Sequence, residues 1–244
     1  MRYLRSFTAD GGSASATVVL FPQAGAGCLR LHSITPSVPA GLNLLGVQLP
    51  GREDRLRDAP AHNLSEVVDG IGAELAAPAR RQPMILLGVS LGAVIAYEVA
   101  RKLEHDAVAP RTLVVVAARS PEHWRTFPAA NPPAGELSAL LHPSVRASES
   151  APYAVATMRS DLKLMAGYRI SDTPLTSTAL RSVSGYRDSV VTTAQMSGWS
   201  DRSTDYRGHR VIDADHHEFM DRDVLGELLS AVASEIVTGR EGRV

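Results

Sequence analysis

The chain has 244 residues with 44% hydrophobic and 21% charged residues, and its formal net charge is −1. These values fit one α/β domain, residues 1–244, and they exclude disordered, fibrous and strongly basic proteins, so neither nucleic acid nor a membrane is an expected partner. Cys28 is the only cysteine and no apolar signal sequence begins the chain, which predicts a soluble cytoplasmic protein without disulfides or a metal site.

The first half of the chain alternates buried strands with helices. The predicted strands are short apolar runs, rich in β-branched residues, at 16–21, 43–49, 84–87 and 112–118. A helix capped by Asn63 or Ser65 and a second helix over 93–103 lie between them. This alternation predicts βαβ units in a mostly parallel, doubly wound sheet.

The second half contains a long segment without a predicted strand, residues 121–171. It combines a proline-rich loop over 127–133 with a helical pattern over 153–168, and such a segment is typical of an inserted functional element. We call it the predicted lid. Four of its side chains are expected to line the pocket that the segment covers: Leu137, Met158, Leu162 and Met165. Strands then resume at 179–184 and 208–212, and an amphipathic helix over 224–237 follows.

Residues 88–92 read Gly-Val-Ser-Leu-Gly, a G-x-S-x-G pattern between a predicted strand and a predicted helix. In this context the sharp turn holds the serine above the sheet, and the glycines let strand and helix approach closely. We therefore predict that Ser90 is the nucleophile of an α/β-hydrolase. The alternative is an ordinary strand-to-helix turn with an incidental serine.

A serine nucleophile needs a base and a carboxylate that orients the base. In α/β-hydrolases the chain order is serine, acid, histidine. Asp188 follows the strand at 179–184, while His216 and His217 follow the strand at 208–212. The ends of these strands are expected to bring both positions beside Ser90.

Two choices stay open at this point. Asp213 and Asp215 could also orient the base, although their closeness to the histidines favours a role in the turn. His216 and His217 are adjacent in a loop, so only one of them is expected to reach the serine.

The oxyanion hole is expected to combine two backbone amides. One belongs to Leu91, directly after the nucleophile. The other comes from the loop at 23–27, Gln-Ala-Gly-Ala-Gly, which we call the glycine-rich loop and in which Ala24 is the predicted donor. The alternative is a plain glycine-rich turn.

Five segments resemble the type II thioesterases that accompany modular polyketide synthases and nonribosomal peptide synthetases. They are similar to the family's F-P-x-A-G loop, Q-L-P-G-R-E-x-R segment, G-H-S-M-G-A elbow, lid-proximal helix and P-G-D-H-F segment, and they lie at 21–25, 47–55, 88–93, 158–164 and 213–219. The resemblance extends over nearly the whole chain.

The resemblance implies an α/β-hydrolase fold with a helical lid and a Ser-His-Asp thioesterase. Such an enzyme hydrolyses acyl groups from the phosphopantetheine arm of acyl or peptidyl carrier proteins, clearing or releasing chains, without a cofactor. In this alignment His216 is the base, although a count back from residues 219–220 favours His217. The alternatives are a carboxylesterase, an acyltransferase and a non-catalytic protein that binds a carrier or an acyl chain.

Three positions depart from the family pattern. Val89 replaces a histidine, Gln23 replaces a histidine or tyrosine, and Ser189 replaces a proline. None removes a member of the predicted triad, so the departures leave open a shifted acyl preference or a lower rate. The charged cluster at 52–55 is expected to be either a solvated loop or a structural brace beside the mouth of the active site.

Overall fold

A computed structural model describes residues 2–8, 14–125, 132–166 and 168–241. Its centre is a seven-stranded sheet in the order β1-β3-β2-β4-β5-β6-β7. The strands are β1 (Leu4–Ser6), β2 (Ala16–Phe21), β3 (Leu42–Val47), β4 (Met84–Val89), β5 (Thr112–Val116), β6 (Ala179–Gly185) and β7 (Tyr206–Ile212). Only β1 is antiparallel to its neighbour in this sheet, and the other pairs are parallel. The predicted sheet is therefore confirmed.

Some helices connect the strands, and others form part of the predicted lid. They are α1 (Leu64–Arg81), α2 (Leu91–His105), α3 (Ala134–Ala139), α4 (Pro143–Arg146), α5 (Ala151–Leu164) and α6 (Arg222–Glu241). Of the two predicted caps of α1, Asn63 is the one that acts, because its side-chain oxygen accepts the backbone N–H of Ser65 at 2.9 Å. No helix in the described ranges is long and apolar enough to cross a membrane.

Alternating side chains of the sheet divide the core into two layers. In β2, Val19 and Phe21 pack with buried residues of α1 and α2. Val18 and Leu20 of the same strand pack on the opposite face with buried residues of α6. Both faces of the sheet are thus covered by helices, as a doubly wound fold requires.

Cys28 lies in the layer that contains α6 and is fully buried. Burial raises the pKa of its thiol to about 12, and the negative charge of Glu53 contributes to the increase. The side chain is therefore a neutral thiol at pH 7, packed as a small apolar group.

The described part of the predicted lid consists of short helices and connecting turns. Helices α3, α4 and α5 lie in it, and no strand occurs among its described residues. Most of the proline-rich loop predicted at 127–133 lies outside the described residues. Helix α5 lies in close contact with the glycine-rich loop: a Cβ atom added to Gly25 would lie 3.0 Å from the Cβ of Met158.

Candidate active site

Ser90 lies at the sharp turn between β4 and α2, with φ 53° and ψ −121°. A positive φ is unfavourable for a residue with a side chain, so neighbouring contacts must stabilise this backbone. The Ser90 N–H donates to the carbonyl of Val116 at 2.8 Å, which ties the turn to β5. A Cβ atom added to Gly92 would lie 2.2 Å from the carbonyl oxygen of Phe21. The turn therefore requires glycine at this position, as the sequence pattern indicates.

Asp188 and His216 form a buried hydrogen-bonded pair. The Nδ1 atom of His216 lies 2.9 Å from Oδ2 of Asp188, and both residues are less than 10% exposed. The other carboxylate oxygen accepts the backbone N–H groups of Val190 and Val191, each at 2.8 Å. Burial alone would raise the pKa of Asp188, but the hydrogen bond and charge of His216, together with these amides, hold the pKa below its ordinary value. The carboxylate is therefore ionised beside the imidazole.

His217 has a different environment from His216. Its ring centroid lies 6.0 Å from the centroids of the His216 and His142 rings. Burial, followed by the proximity of His216, lowers the pKa of His217, so this imidazole is neutral at pH 7. The structure pairs His216, and not His217, with Asp188.

The two other aspartates near the histidines have turn and surface contacts. Asp215 accepts the backbone N–H groups of His217 and Glu218 at 2.8 and 3.1 Å, so it stabilises the turn that carries the histidines. Asp213 is exposed and pairs with Arg187 at 2.6 Å. Both contacts agree with the turn roles expected from the sequence.

One cavity of about 660 Å³ is lined by four of the five predicted site residues, and the fifth, Asp188, binds one of them, His216. Ser90, Leu91, Ala24 and His216 all line it. The backbone N–H groups of Ala24 and Leu91 have no hydrogen-bond acceptor among the described residues. For Leu91 the reason is that it begins α2, where the first amides have no partner inside the helix. Both amides are thus available to an atom in the cavity.

The predicted lid supplies much of the apolar lining. Met158 and Leu162 line the cavity, as expected. Leu137 and Met165 do not, and this part of the prediction is wrong: Leu137 is buried behind Met158, while Met165 follows the end of α5 and packs in the main core. The sequence pattern predicted that these side chains are buried, but not on which side of the helices they lie.

Several lining residues were not predicted from the sequence. Arg119 lines the cavity and donates to the carbonyl of Val190 at 3.2 Å, next to the amides that bind Asp188. It lies just beyond the carboxyl end of β5, and polar residues at that edge of a parallel sheet are the signal that could have found it.

Two departures from the family pattern have different surroundings. Val89 is fully buried in the layer that contains α6, so the valine at this position contributes to core packing. Gln23 lines the cavity, and its side-chain oxygen is buried without a hydrogen-bond partner among the described residues. Of these two departures, Gln23 is the one that reaches the cavity.

The charged cluster at 52–55 is buried at its two arginines and exposed at Glu53 and Asp54. Arg52 and Arg55 are 6% and 7% exposed. Arg52 forms a two-point ion pair with Asp161 of α5, with N···O distances of 2.8 and 2.5 Å. Glu53 accepts the backbone N–H of Leu29 at 2.9 Å. Arg52 and Glu53 thus connect the loop after β3 to the glycine-rich loop region, and Arg52 also connects it to the predicted lid.

The family model of the thioesterase domain matches residues 16–236. The chain belongs to the thioesterase domain family. The match includes the sharp turn after β4, the glycine-rich loop and the turn that carries the histidines, so the family expected from the sequence motifs is confirmed.

Individual relatives agree with this assignment. The chain is 25% identical over 96% of its length to the probable cadicidin biosynthesis thioesterase of Streptomyces griseus, and it spans 65% of that protein. It is also 25% identical over 80% of its length to the AMB antimetabolite synthetase AmbE of Pseudomonas aeruginosa, of which it spans 10%. The structure of the type II thioesterase BorB from the borrelidin biosynthetic cluster has a TM-score of 0.80 at 24% identity, over 96% of this chain and 97% of BorB. The predicted α/β-hydrolase fold is confirmed.

Proposed function

We propose that this chain is a serine thioesterase that hydrolyses acyl groups from the phosphopantetheine arm of carrier proteins. The observation that carries the proposal is the buried Asp188–His216 pair, which lies with Ser90 and two unpaired backbone amides around one cavity. A nucleophile, an oriented base and oxyanion donors are the set of groups that acyl transfer requires.

The reaction proceeds through an acyl-enzyme. The hydroxyl oxygen of Ser90 attacks the thioester carbonyl while Nε2 of His216 takes the hydroxyl proton. The amides of Ala24 and Leu91 donate to the oxyanion, and Asp188 stabilises the imidazolium through Nδ1. The carbon–sulfur bond breaks and the sulfur leaves as a thiol with the proton from His216. Water then attacks the ester, His216 again acts as base, and the carboxylic acid is released from Ser90.

The acyl group is proposed to enter an apolar cavity. Side chains of the predicted lid and of neighbouring loops provide its apolar surface: Leu56, Leu91, Leu140, Leu141, Val145, Met158, Leu162, Val190 and Val191. Carrier-bound thioesters are the proposed substrates because one relative is named a probable cadicidin biosynthesis thioesterase and BorB is a type II thioesterase from the borrelidin biosynthetic cluster. The proposed steps use only groups of this chain and water, without a cofactor.

The test is acyl release from a carrier protein. Acyl groups of increasing length are loaded onto the phosphopantetheine arm, and release by the wild-type chain is compared with release by Ser90→Ala. The matched substrate control is an oxygen ester of the same acid. Faster release of the thioester supports the proposal. Preferential hydrolysis of the oxygen ester would make the chain a carboxylesterase, and equal release by both proteins would contradict serine catalysis.

A further inference from the structure

Two adjacent backbone amides of the glycine-rich loop are held by hydrogen bonds, next to one that has no acceptor among the described residues. The N–H of Ala26 donates to the carbonyl of Gln23 at 3.1 Å, and the N–H of Gly25 donates to Oδ2 of Asp161 at 2.8 Å. The N–H of Ala24 has no acceptor among the described residues. Asp161 therefore binds the amide directly after the predicted oxyanion donor.

Asp161 belongs to α5 and is 3% exposed. It binds Arg52, which follows β3 and also donates to the carbonyl of Ala26 at 3.0 Å. One buried ion pair thus holds both sides of the loop: its carboxylate accepts from Gly25, and its guanidinium donates to Ala26. Because buried charges are costly without such partners, the pair has little freedom to shift.

Glycine allows α5 to approach the loop closely at this point. Gly25 has φ +77°, and a Cβ atom there would lie 3.0 Å from the Cβ of Met158 and 3.3 Å from the carbonyl of Ala154. Residues of α5 therefore cover the loop directly, and any movement of α5 away from the loop would separate Asp161 from Gly25.

We propose that Asp161 and Arg52 are positioning residues, which fix the glycine-rich loop beneath α5 so that the N–H of Ala24 faces the reacting carbonyl. The proposal rests on the proposed thioesterase function. It has a consequence for the predicted lid: the oxyanion hole is complete only while α5 is seated on the loop. The family segment that contains Arg52 thereby acts on the chemical step through the backbone of the glycine-rich loop.

The test separates positioning from stability. In the double variant Arg52→Met/Asp161→Leu the buried pair is replaced by apolar side chains, a change that often preserves or improves stability. Asp161→Asn is the second variant, because it keeps the shape of the side chain. The control is Arg55→Met, which removes another buried arginine of the same cluster that contacts Asp58 and Gln48 but not the loop. Urea unfolding, kcat and KM on an acyl-N-acetylcysteamine thioester, and the rate of Ser90 labelling by a fluorophosphonate are measured for all four proteins.

Displacement of one oxyanion donor is expected to lower kcat by about 10- to 100-fold, with a much smaller change in KM. Fluorophosphonate labelling should slow in parallel, because the phosphonyl oxygen occupies the same hole. Arg55→Met should keep the wild-type kcat at temperatures where it is folded. The positioning role is overturned if the double variant or Asp161→Asn is folded with a wild-type kcat, or if kcat falls only in proportion to stability in all variants. Failure of the wild-type chain to release acyl groups from a carrier protein would instead contradict the proposed function itself.

Discussion

At the scale of single residues, Ser90 combines a strained backbone with a hydroxyl that makes no hydrogen bond recorded among the described residues. The strain is stabilised by neighbouring backbone contacts, so the hydroxyl itself contributes little to the fold. Ser90→Ala should therefore abolish thioester hydrolysis while changing the free energy of unfolding by no more than about 0.5 kcal/mol. Hydrolysis assays and urea unfolding of the same preparation test both parts. A variant that retains turnover would exclude Ser90 as the nucleophile.

The carboxylates of Asp188, Asp213 and Asp215 can be compared by substituting each with asparagine. Asp188→Asn should lower kcat by about 10⁴-fold, because an amide favours the wrong imidazole tautomer. Asp213→Asn and Asp215→Asn should change kcat by less than about tenfold, since their contacts lie in the turn and on the surface. Steady-state kinetics of the three variants are the measurement. A larger loss in Asp215→Asn than in Asp188→Asn would show that the acid has been misassigned.

The adjacent histidines are distinguished by their partners. His216→Ala should remove activity because it eliminates the group bound to Asp188, whereas His217→Ala should leave a measurable rate. Parallel kinetics of the two variants provide the measurement, with folding checked by circular dichroism. If His217→Ala is the inactive variant, the base is one residue further along the chain than proposed; if both remain active, neither histidine is the base.

The structure brings Ser90, Asp188 and His216 to one region for a physical reason. Parallel strands end at the same edge of the sheet, so a polar residue after each strand can be assigned to one site from chain order alone. The contacts of Asp161 could not be found in this way. They join positions 109 residues apart and depend on how α5 docks on the sheet, which the periodicity of the helix does not specify.

At the scale of secondary structure, the predicted lid differs from the sheet in its contacts. Its small core contains Leu137, Leu141 and Met158, while β5 is fully buried between two strands. We expect backbone amides of α3, α4 and α5 to exchange hydrogen faster than those of β5. Hydrogen exchange measured by mass spectrometry tests this expectation. Equal protection of the lid helices and β5 would identify the segment as a fixed helical layer.

Sequence patterns did not predict β1 or the end of β5, where the local signals are weak. β1 has three residues and only partial burial, so its pairing with β3 is decided by tertiary contact. The strand expected over 112–118 ends at Val116 because Ala117 adopts a positive φ of 46°. The 3₁₀ helix Thr193–Arg202 does have a local signal, a capping box between Thr192 and Gln195, but it lacks the apolar periodicity that indicates a helix.

At the scale of the whole molecule, the buried pair at the site links catalysis to acid stability. The pKa of Asp188 is below its ordinary value in the folded chain, so its ionised form stabilises the fold. This contribution is complete above the unfolded pKa of about 3.9 and is lost as the pH falls through the lower folded value. The stability difference between wild type and Asp188→Asn should therefore be largest near neutral pH and shrink in acid.

Urea unfolding at a series of pH values measures that difference, and Asp213→Asn is the control because the side chain of Asp213 is 82% exposed. A difference that stays constant from neutral pH to pH of about 3 would mean that the carboxylate of Asp188 does not stabilise the folded state in its charged form.

The single thiol of the chain has a practical consequence for assays of thioester hydrolysis. The proposed reaction releases a thiol, and thiol-reactive dyes consume only the thiolate form of accessible cysteines. Cys28 is 0% exposed and its pKa is raised to about 12, so the native protein contributes no signal to such a measurement. The same dye also reports unfolding, because loss of the core layer that contains α6 exposes the Cys28 thiol. One dye measurement can thus distinguish a variant that unfolds from a variant that is folded but inactive.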